Sequence, residues 1–301
     1  MARNMRSLLA RVAPADCNVL ITGETGTGKE LVADLIHRNS PRASRPFVCI
    51  NCAAIPDGLV ESDLFGYERG AFTGAATTTD GKLKHADGGS VFLDELGEMS
   101  LHAQATLLRA IESRRIYRVG GHQQIPLDVR VLAATHQHLE KRVAQGTFRQ
   151  DLYYRLNVAR IDVPPLRERR ADVRNLLVHY VACFNKGFAR DNVGFSEAVL
   201  AKLLRYDWPG NVRELRNFVE STFVYSKERV FSWADIAPHF LAILHESAPL
   251  ESERDRITNA LKDCGWNRSL AARQLQMSRM TLYRKLVKNG ITLLPEEMPP
   301  H

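Results

Sequence analysis

A glycine-rich stretch near the start of the chain constrains the fold more than any other feature. It lies between an apolar run at 18–21 and residues 31–37, whose apolar positions recur at helical spacing. A strand, a glycine loop and a helix in this order direct backbone N–H groups and a helix N-terminus at an anion. The stretch therefore predicts a nucleotide-phosphate site, and a glycine-rich turn with a chance lysine is the alternative. We take all eight of its residues as nucleotide-binding: Gly23, Glu24, Thr25, Gly26, Thr27, Gly28, Lys29 and Glu30.

A second candidate site lies where the apolar run 90–93 ends in two adjacent carboxylates, Asp94 and Glu95. Open α/β sheets bind their ligands at the carboxyl ends of the strands. We expect Asp94 to hold the Mg²⁺ that bridges the phosphates, and Glu95 to orient and deprotonate the attacking water. Lys29 would reach the outer phosphates, whereas Glu30 departs from the Ser or Thr that most such loops carry for the metal. Taken alone, a strand that runs into a solvated turn also explains the two carboxylates.

Five short apolar runs alternate with helical patterns in the first half of the chain, at 18–21, 47–51, 90–94, 129–134 and 158–163. This alternation predicts an α/β fold with a mostly parallel sheet. From about residue 165 onward the pattern becomes wholly helical. No apolar run approaches the ~20 residues of a membrane helix, and the N-terminus lacks the apolar core of a signal peptide, so we expect a cytosolic protein with no membrane partner.

The formal net charge of +7 is concentrated near the C-terminus. Residues 254–290 hold nine Lys or Arg against two Asp, so the rest of the chain is neutral in sum. A basic module on a neutral body predicts a nucleic-acid partner for that module. Three short helical patterns in it, with Ala271 and Ala272 small enough for close packing, indicate a helix-turn-helix whose third helix enters the major groove. A plain basic three-helix bundle is the alternative.

The third helix of this module would divide its side chains between DNA and a small core. We expect Leu282 and Leu286 to face the core and Ser278 to cap the helix. Basic residues outside the groove would contact phosphates, which gives an affinity that weakens with salt; these are Arg268, Arg273 and Lys288. The candidate DNA-facing residues are Arg279, Thr281, Tyr283 and Arg284, and Lys285 and Ser278 complete the candidate DNA-binding set.

A glycine-rich loop, residues 66–77, lies between the two candidate site segments and carries one phenylalanine, Phe72, at its centre. Its repeated glycines disfavour a helix or a core strand. A flexible loop that offers a single large apolar side chain is typical of a contact surface, because such rings contribute strongly to interfaces. The alternative is a mobile surface loop whose Phe72 folds back onto the core.

Residues 70–75 of this loop, Gly-Ala-Phe-Thr-Gly-Ala, resemble the GAFTGA signature of the sigma-54-dependent transcription activators. These are the NtrC-like bacterial enhancer-binding branch of the AAA+ ATPases. The phosphate loop also resembles theirs, including Glu30, although Thr25 stands where that branch more often has Ser. The resemblance covers essentially the whole chain. It implies an AAA+ P-loop NTPase core with a parallel sheet, an α-helical lid and a small all-α Fis-type helix-turn-helix domain, with ATP and Mg²⁺ as cofactors.

The resemblance also implies roles for single residues of the core. Asn51 matches the asparagine that restrains the catalytic glutamate. Thr135 and His136 match the sensor that reads the γ-phosphate, where the family shows Asn or His at the second place. Arg149 and Arg155 match the arginine fingers, which a neighbouring subunit supplies to neutralise charge on the γ-phosphate. The alternatives are a strand-edge turn residue for Asn51 and a solvated helix face for the two arginines.

The implied lid carries a further candidate, Arg213, which matches the second sensor. Its helix would begin after a Pro-Gly turn with Asn211 as its N-cap, and a surface Arg-Glu pair is the alternative for Arg213. The predicted division of the chain is an α/β ATPase subdomain at 1–164, a lid at 165–241, a linker at 242–252, a helix-turn-helix domain at 253–291 and a tail at 292–301.

By this resemblance, the chain would be an ATP-hydrolysing transcription activator that forms a homo-oligomer, from a dimer to a hexameric ring. It would bind double-stranded enhancer DNA and remodel the sigma-54 RNA polymerase holoenzyme from the closed to the open complex. The expected sigma-54 contacts are Gly70, Ala71, Phe72, Thr73, Gly74 and Ala75. Two alternatives stay open: a nucleotide-responsive DNA-binding regulator without remodelling activity, and a generic AAA+ remodelling ATPase. Because residue 1 falls just before the first helix, we expect any receiver or sensor domain to be absent or removed.

Overall fold

A computed structural model describes residues 3–246, 257, 261, 268, 271–272 and 277–288. These residues form two compact units. One holds the described residues up to Gly194 together with Asp207–Phe223, and the other holds Phe195–Tyr206 and the described residues from Val224 onward. The predicted phosphate contact Arg273, the predicted tail and most of the predicted linker lie outside the described residues. Of Lys288 only the backbone is described.

The helices are α1 (Arg3–Val12), α2 (Lys29–Arg38), α3 (Val60–Phe65), α4 (Lys82–His85), α5 (Leu101–Ser113), α6 (Leu139–Ala144), α7 (Gln150–Leu156), α8 (Ala171–Phe188), α9 (Glu197–Leu203), α10 (Asn211–Tyr225), α11 (Pro238–Glu246) and α12 (Arg279–Lys288). The strands are β1 (Val19–Thr22), β2 (Phe47–Asn51), β3 (Gly66–Tyr67), β4 (Thr79–Asp80), β5 (Ser90–Asp94), β6 (Arg115–Ile116), β7 (Ile125–Pro126), β8 (Arg130–Thr135), β9 (Ala159–Asp162), β10 (Gly194–Phe195) and β11 (Val230–Phe231).

A five-stranded parallel sheet in the order β2-β5-β8-β1-β9 forms the centre of the first unit. Its strands coincide with the five apolar runs, so the predicted α/β fold with a parallel sheet is confirmed. Asn51 pairs with Asp94 on the next strand, and Thr22 pairs with Thr135. These residues end their strands at one edge, where the candidate site lies.

Both faces of this sheet are covered, which explains why its central strands are almost entirely apolar. Side chains alternate between the faces along each strand. On β1, Leu20 packs into the core that includes α3 and α5, whereas Val19 and Ile21 pack with α1 and α2. All six residues of β8 are buried. The sheet is therefore a rigid base for the loops at its carboxyl edge.

The opposite edge of the sheet is tied to α1 by one buried arginine. Arg130 is 2% exposed, and its guanidinium donates to the backbone carbonyls of Val12, Ala13 and Cys17 at 2.8, 2.8 and 3.0 Å. The last carbonyls of a helix have no partner within the helix and carry partial negative charge. Arg130 therefore satisfies the C-terminus of α1 and fixes this helix to the start of β8.

The second unit contains a small core of its own near the C-terminus. Leu282 and Leu286 of α12 are buried there with Ala271, Ala272 and other apolar residues. This confirms the predicted core-facing side of the third helix. Among the described residues, no helix has both the length and the apolar character needed to cross a membrane.

Candidate active site

The phosphate loop of the first unit has the backbone that its glycines predict. Gly26 and Gly28 have φ values of 79° and 96°, which disfavour any residue with a side chain. A Cβ on Gly26 would also lie 2.4 Å from the carbonyl oxygen of Gly210. The helix α2 begins at Lys29, directly after the loop. The loop thus leads into a helix N-terminus, as an anion site requires.

The carbonyl groups of the loop are held by the start of α10 and by the chain before α8. The backbone N–H of Val212 donates to Gly26 O at 2.9 Å, and Arg169 Nη2 donates to Thr27 O at 2.7 Å. These bonds fix the loop from outside the strand and helix that flank it.

Asn211 contributes to the same attachment, and the prediction that it caps α10 is wrong. Its Oδ1 accepts from the backbone N–H of Leu166 at 2.7 Å, and its Nδ2 donates to Thr25 O at 3.1 Å. Its φ of 54° is in the left-handed region, which Asn tolerates better than most residues. The residue therefore joins three segments. Glu24 of the loop also forms a bidentate ion pair with Arg167, whose Nη2 and Nη1 lie 2.6 and 2.8 Å from the two carboxylate oxygens.

Lys29 lies at the bottom of the site. It is 6% exposed, and its Nζ donates to the carbonyl oxygens of Gly23 and Glu24 at 3.0 and 3.3 Å. The same nitrogen is 3.9 Å from Glu95 Oε1. Burial lowers the pKa of the Lys29 ammonium, and the charges of Glu95 and Asp94 oppose this shift. The structure thus brings together the lysine and the two carboxylates that the sequence singled out.

The two carboxylates at the end of β5 have different surroundings. Burial and the neighbouring charge of Glu95 raise the pKa of Asp94, whose Oδ1 accepts from the backbone N–H of Glu95 at 3.0 Å. Glu95 has a φ of 51°, a conformation that costs a residue with a side chain roughly 1–3 kcal/mol. Such strain persists where the surrounding structure enforces it, and it is common at active sites.

His136, one of the two residues of the candidate γ-phosphate sensor, contacts the candidate base directly. His136 Nδ1 lies 2.7 Å from Glu95 Oε2. A carboxylate can only accept, so the imidazole donates from Nδ1. Thr135 is fully buried, and its Oγ1 accepts from the backbone N–H of Gln137. Asn51 ends the adjacent strand, and its Oδ1 accepts from the backbone N–H of Ala53 at 3.0 Å.

A cavity of about 270 Å³ opens over Lys29 and the two carboxylates, and the residues that line it do not include Asn51, Thr135 or His136. Its walls include four candidate residues from the sequence analysis, Glu30, Asp94, Glu95 and Arg213. They also include three residues that the sequence analysis missed, Tyr180, Arg216 and Asn217. Arg216 lies one helical turn after Arg213 on α10, and this spacing is the signal that could have revealed Arg216.

The oxygen groups at this edge suit magnesium bound together with a nucleotide. Mg²⁺ prefers oxygen ligands and usually takes only one or two carboxylates, with phosphates and water completing the shell. Asp94 offers such a carboxylate next to Lys29, and Glu30 lines the same cavity. Within the described part of the chain, no group of three or more His, Cys, Asp or Glu side chains could hold a metal alone.

The two candidate arginine fingers lie at the start and near the end of α7, and both are exposed. Arg149 precedes the helix, and its guanidinium pairs with Asp151 at 2.6 and 3.0 Å. Arg155 lines a different cavity, beside Asp16 and Arg130 at the amino edge of the sheet. Neither guanidinium lines the cavity over Lys29 in its own chain.

The glycine-rich loop at 70–75 is a tight surface turn. Its ends are joined by the backbone N–H of Gly70, which donates to Ala75 O at 2.9 Å. Phe72 is 42% exposed, and its ring lies edge-on against Tyr67 at a centroid distance of 5.0 Å. The alternative of a Phe72 folded onto the core is therefore wrong.

The base of that turn is held by Arg118, which no motif revealed. Arg118 Nη1 lies 2.8 Å from Glu68 Oε1, and Nη2 lies 2.7 Å from Asp80 Oδ1. Glu68 precedes the turn and Asp80 follows it, on β4. The arginine itself comes from the hairpin between β6 and β7, so this hairpin and the turn are joined at their bases.

The candidate DNA-facing side of α12 is solvent-exposed. Arg279, Thr281, Tyr283 and Arg284 are all exposed, and so is Arg268. Ser278 caps the helix as predicted, because its Oγ accepts from the backbone N–H of Thr281 at 3.1 Å.

The sheet order, the phosphate loop and the paired carboxylates define an AAA+ P-loop NTPase domain. Three family models match the chain in succession. They are the sigma-54 interaction domain at residues 1–162, the AAA+ ATPase lid domain at 167–253, and the bacterial regulatory protein, Fis family, at 249–288. The chain therefore belongs to the sigma-54-dependent transcription activators, and the predicted family is confirmed.

Individual relatives agree with this assignment. The transcriptional regulatory protein ZraR of Escherichia coli is 47% identical over 291 residues, which cover 94% of this chain and 66% of ZraR. A crystal structure of NtrX from Brucella abortus with ADP has a TM-score of 0.74 and 32% identity, covering 96% of this chain and 68% of NtrX. The corresponding structure with ATP has a TM-score of 0.70 and 33% identity, covering 96% and 67%. The chain thus spans about two thirds of the length of these relatives.

Proposed function

We propose that this protein is an ATP-hydrolysing transcription activator that remodels the sigma-54 RNA polymerase closed complex while bound to enhancer DNA. The observation that carries the proposal is the shared position of Lys29, Asp94 and Glu95 at one sheet edge, combined with an exposed Phe72 on the inserted turn. The first feature provides the chemistry of phosphate transfer, and the second provides a contact surface. The family assignment connects the two.

ATP would bind in the cavity over Lys29, and the crystal structures of NtrX in complex with ADP and with ATP support a nucleotide as the ligand. Lys29 would neutralise charge on the outer phosphates, and Arg213 would contact them from α10. When bound at Asp94, Mg²⁺ would supply additional positive charge to the phosphates. Glu95 would take a proton from the attacking water, and the hydrogen bond from His136 would fix the direction of its carboxylate.

A neighbouring subunit would complete each site. Arg149 is exposed and pairs with Asp151 of its own chain. Rotation of its side chain would release the guanidinium from this pair and offer it to another subunit. An arginine supplied in this way stabilises the transition state by a factor of ~10³–10⁵ in rate. Arg155 is the second candidate. This requirement makes the active form a homo-oligomer, for which we propose a hexameric ring.

The turn at 70–75 would contact sigma-54, with Phe72 as its apolar anchor and Thr73 beside it. Large apolar rings contribute a disproportionate share of interface energy. Enhancer binding would use α12, whose exposed Arg279, Tyr283 and Arg284 enter the major groove in a dimer that reads two half-sites. A cytoplasmic location follows from these partners.

Open-complex formation on a sigma-54 promoter, measured with purified components beside ATP turnover, tests the proposal. We expect Phe72→Ala to abolish open complexes while ATP turnover stays within about twofold of the wild type. Tyr225→Ala removes another exposed aromatic ring and should leave both unchanged. Glu95→Gln should abolish both. Equal loss of ATP turnover and open complexes in Phe72→Ala would contradict the role of the turn.

A further inference from the structure

A single glutamine of α5 is buried completely and bonded on several sides. Gln104 is 0% exposed. Its Nε2 donates to Met99 O at 2.8 Å and makes a longer contact of 3.4 Å with Thr147 O. Its Oε1 accepts from the backbone N–H of Arg149 at 2.8 Å. The orientation of the amide is fixed by this chemistry, because the backbone N–H can only donate and the two carbonyls can only accept.

If the side chain at this position served only to pack the core, a leucine would cost less free energy to bury than a glutamine. The neighbours of Gln104 along α5, Ala103, Leu107 and Leu108, are buried apolar residues. A polar group buried in such surroundings is tolerated only when its hydrogen bonds are made, and each one left unmade costs about 1–3 kcal/mol. The role of the Gln104 side chain is therefore to hold together the segments that its hydrogen bonds connect.

The first of these segments lies at the carboxyl edge of the sheet and follows the candidate base, Glu95. Met99 ends a turn that starts at Glu95, and within it the backbone N–H of Glu98 donates to Glu95 O at 2.9 Å. Gln104 follows Met99 by five residues, and its side chain donates a hydrogen bond to the carbonyl oxygen of Met99. The short backbone segment 95–99 therefore connects the candidate base to the carbonyl that Gln104 binds.

The second segment carries the candidate arginine finger. Arg149 is the residue before α7, and Gln104 receives its backbone N–H. The same stretch is held from a second side, because Arg142 Nε donates to Thr147 Oγ1 at 3.1 Å and Arg142 Nη1 donates to Gln137 Oε1. Gln137 directly follows Thr135 and His136, the candidate γ-phosphate sensor. Both attachments therefore connect the Arg149 segment to residues at the carboxyl edge of the sheet in the same chain.

We infer that Gln104 is a positioning residue that fixes Arg149 for catalysis in the neighbouring subunit and uses the carbonyl of Met99 in its own subunit as the anchor. This inference rests on the proposed function, in which Arg149 acts across a subunit junction. The expected defect of a Gln104 variant lies in the finger that it donates, and its own nucleotide site remains competent. That location distinguishes positioning from a general loss of structure.

The test uses Gln104→Met in the full chain. Methionine has a similar volume and neither an amide donor nor an amide acceptor. We expect kcat for ATP to fall roughly 10- to 100-fold, because misplacement of a catalytic group by about 1 Å has an effect of that size. The KM for ATP should change less than about twofold. Gln145→Met, an exposed glutamine on α6's C-terminal end, and Thr222→Val, a buried polar residue of α10, are the controls and should keep the wild-type kcat.

Mixing variants then shows which subunit carries the defect. Glu95→Gln subunits keep Arg149 and cannot activate water. In an equal mixture with Gln104→Met, about one junction in four pairs a competent site with a competent finger, and turnover should recover to that fraction of the wild-type rate. Mixing Gln104→Met with Arg149→Ala should restore nothing, because both supply a defective finger.

Two results would overturn the inference and leave the proposed function intact. One is a wild-type kcat in folded Gln104→Met, and the other is failure of Glu95→Gln to restore turnover. Wild-type turnover by Arg149→Ala would instead remove the finger role of Arg149, and with it the inference, and would transfer that role in the proposed function to Arg155. If a thermal melt shows that Gln104→Met does not fold, Gln104→Leu, which also lacks a hydrogen-bond donor and acceptor and suits a buried helix position, carries the same mixing test with the same two outcomes.

Discussion

The imidazole of His136 donates a hydrogen bond to the carboxylate of Glu95, with Nδ1 and Oε2 2.7 Å apart. The other oxygen of this carboxylate lies 3.9 Å from Lys29 Nζ. The histidine therefore sets the rotation of the candidate base relative to the place where the outer phosphates would lie. Nδ1 of His136 therefore helps to orient the candidate base.

We expect His136→Ala to lower kcat for ATP by at least about tenfold, because an unanchored carboxylate spends less time aligned with the water. The Kd for ATP should stay within about twofold of the wild type, since the phosphate loop keeps its contacts. His136→Asn retains an N–H donor of similar reach and should keep most of the activity. Turnover in His136→Ala that equals or exceeds the wild type would contradict the orienting role.

Arg118→Ala should loosen the base of the 70–75 turn without affecting the nucleotide site. The arginine bridges Glu68 and Asp80 on either side of the turn, and the backbone N–H of Glu68 donates to Val119 O at 3.0 Å. Hydrogen exchange at that amide should become faster, and open-complex formation should fall while ATP turnover persists. The matched control is Arg115→Ala, whose guanidinium bonds an exposed Gln124 on the same hairpin. Unchanged exchange at Glu68 in Arg118→Ala would refute the bridge.

Arg130→Met should destabilise the first unit by about 2–4 kcal/mol, because three carbonyls lose a charged donor at a buried position. Chemical unfolding measures this as a lower denaturant midpoint at unchanged slope. The exposed Arg109 on α5 provides a control, and Arg109→Met should change stability by less than about 0.5 kcal/mol. A midpoint equal to the wild type would show that the bonds to Val12, Ala13 and Cys17 contribute nothing net.

Two arginines of the C-terminal module should affect DNA binding in different ways. Arg284→Ala should weaken binding to the specific site by about 1–3 kcal/mol and relax sequence preference, because it removes a groove contact. Arg268→Ala should weaken specific and non-specific binding alike and reduce the slope of log K against log salt by about 0.9, because it removes a phosphate contact. Titration over a salt series with specific and scrambled duplexes separates the two. Identical behaviour of both variants would reject the assigned geometry.

The sequence predicted the main sheet because each of its strands is a short, nearly continuous apolar run. Such runs stand out when both faces of a sheet are covered, as in β5 and β8. The convergence of Lys29, Asp94 and Glu95 was predictable for a related reason. Parallel strands bring the residues that follow them to one edge, whatever the length of chain between them.

Other contacts could not be predicted from the sequence, because they depend on side-chain rotation or on distant partners. Glu68 and Arg118 follow strands of two residues, and Asp80 lies within another; strands of this length are too short for any periodic signal. Gln104 interrupts an apolar stripe and looks like an ordinary polar position until its burial is known. Asn211 has the position of a helix cap, and its side chain is used instead to join Leu166 to the phosphate loop.

The rate of ATP hydrolysis per subunit, measured against protein concentration, tests the central claim most directly. If each site is completed by Arg149 of a neighbour, the rate per subunit should rise steeply with concentration and level off once oligomers form. Added Glu95→Gln subunits should then lower the number of working sites without preventing assembly. A rate per subunit that stays constant down to concentrations at which the chain is monomeric would contradict catalysis at a subunit junction.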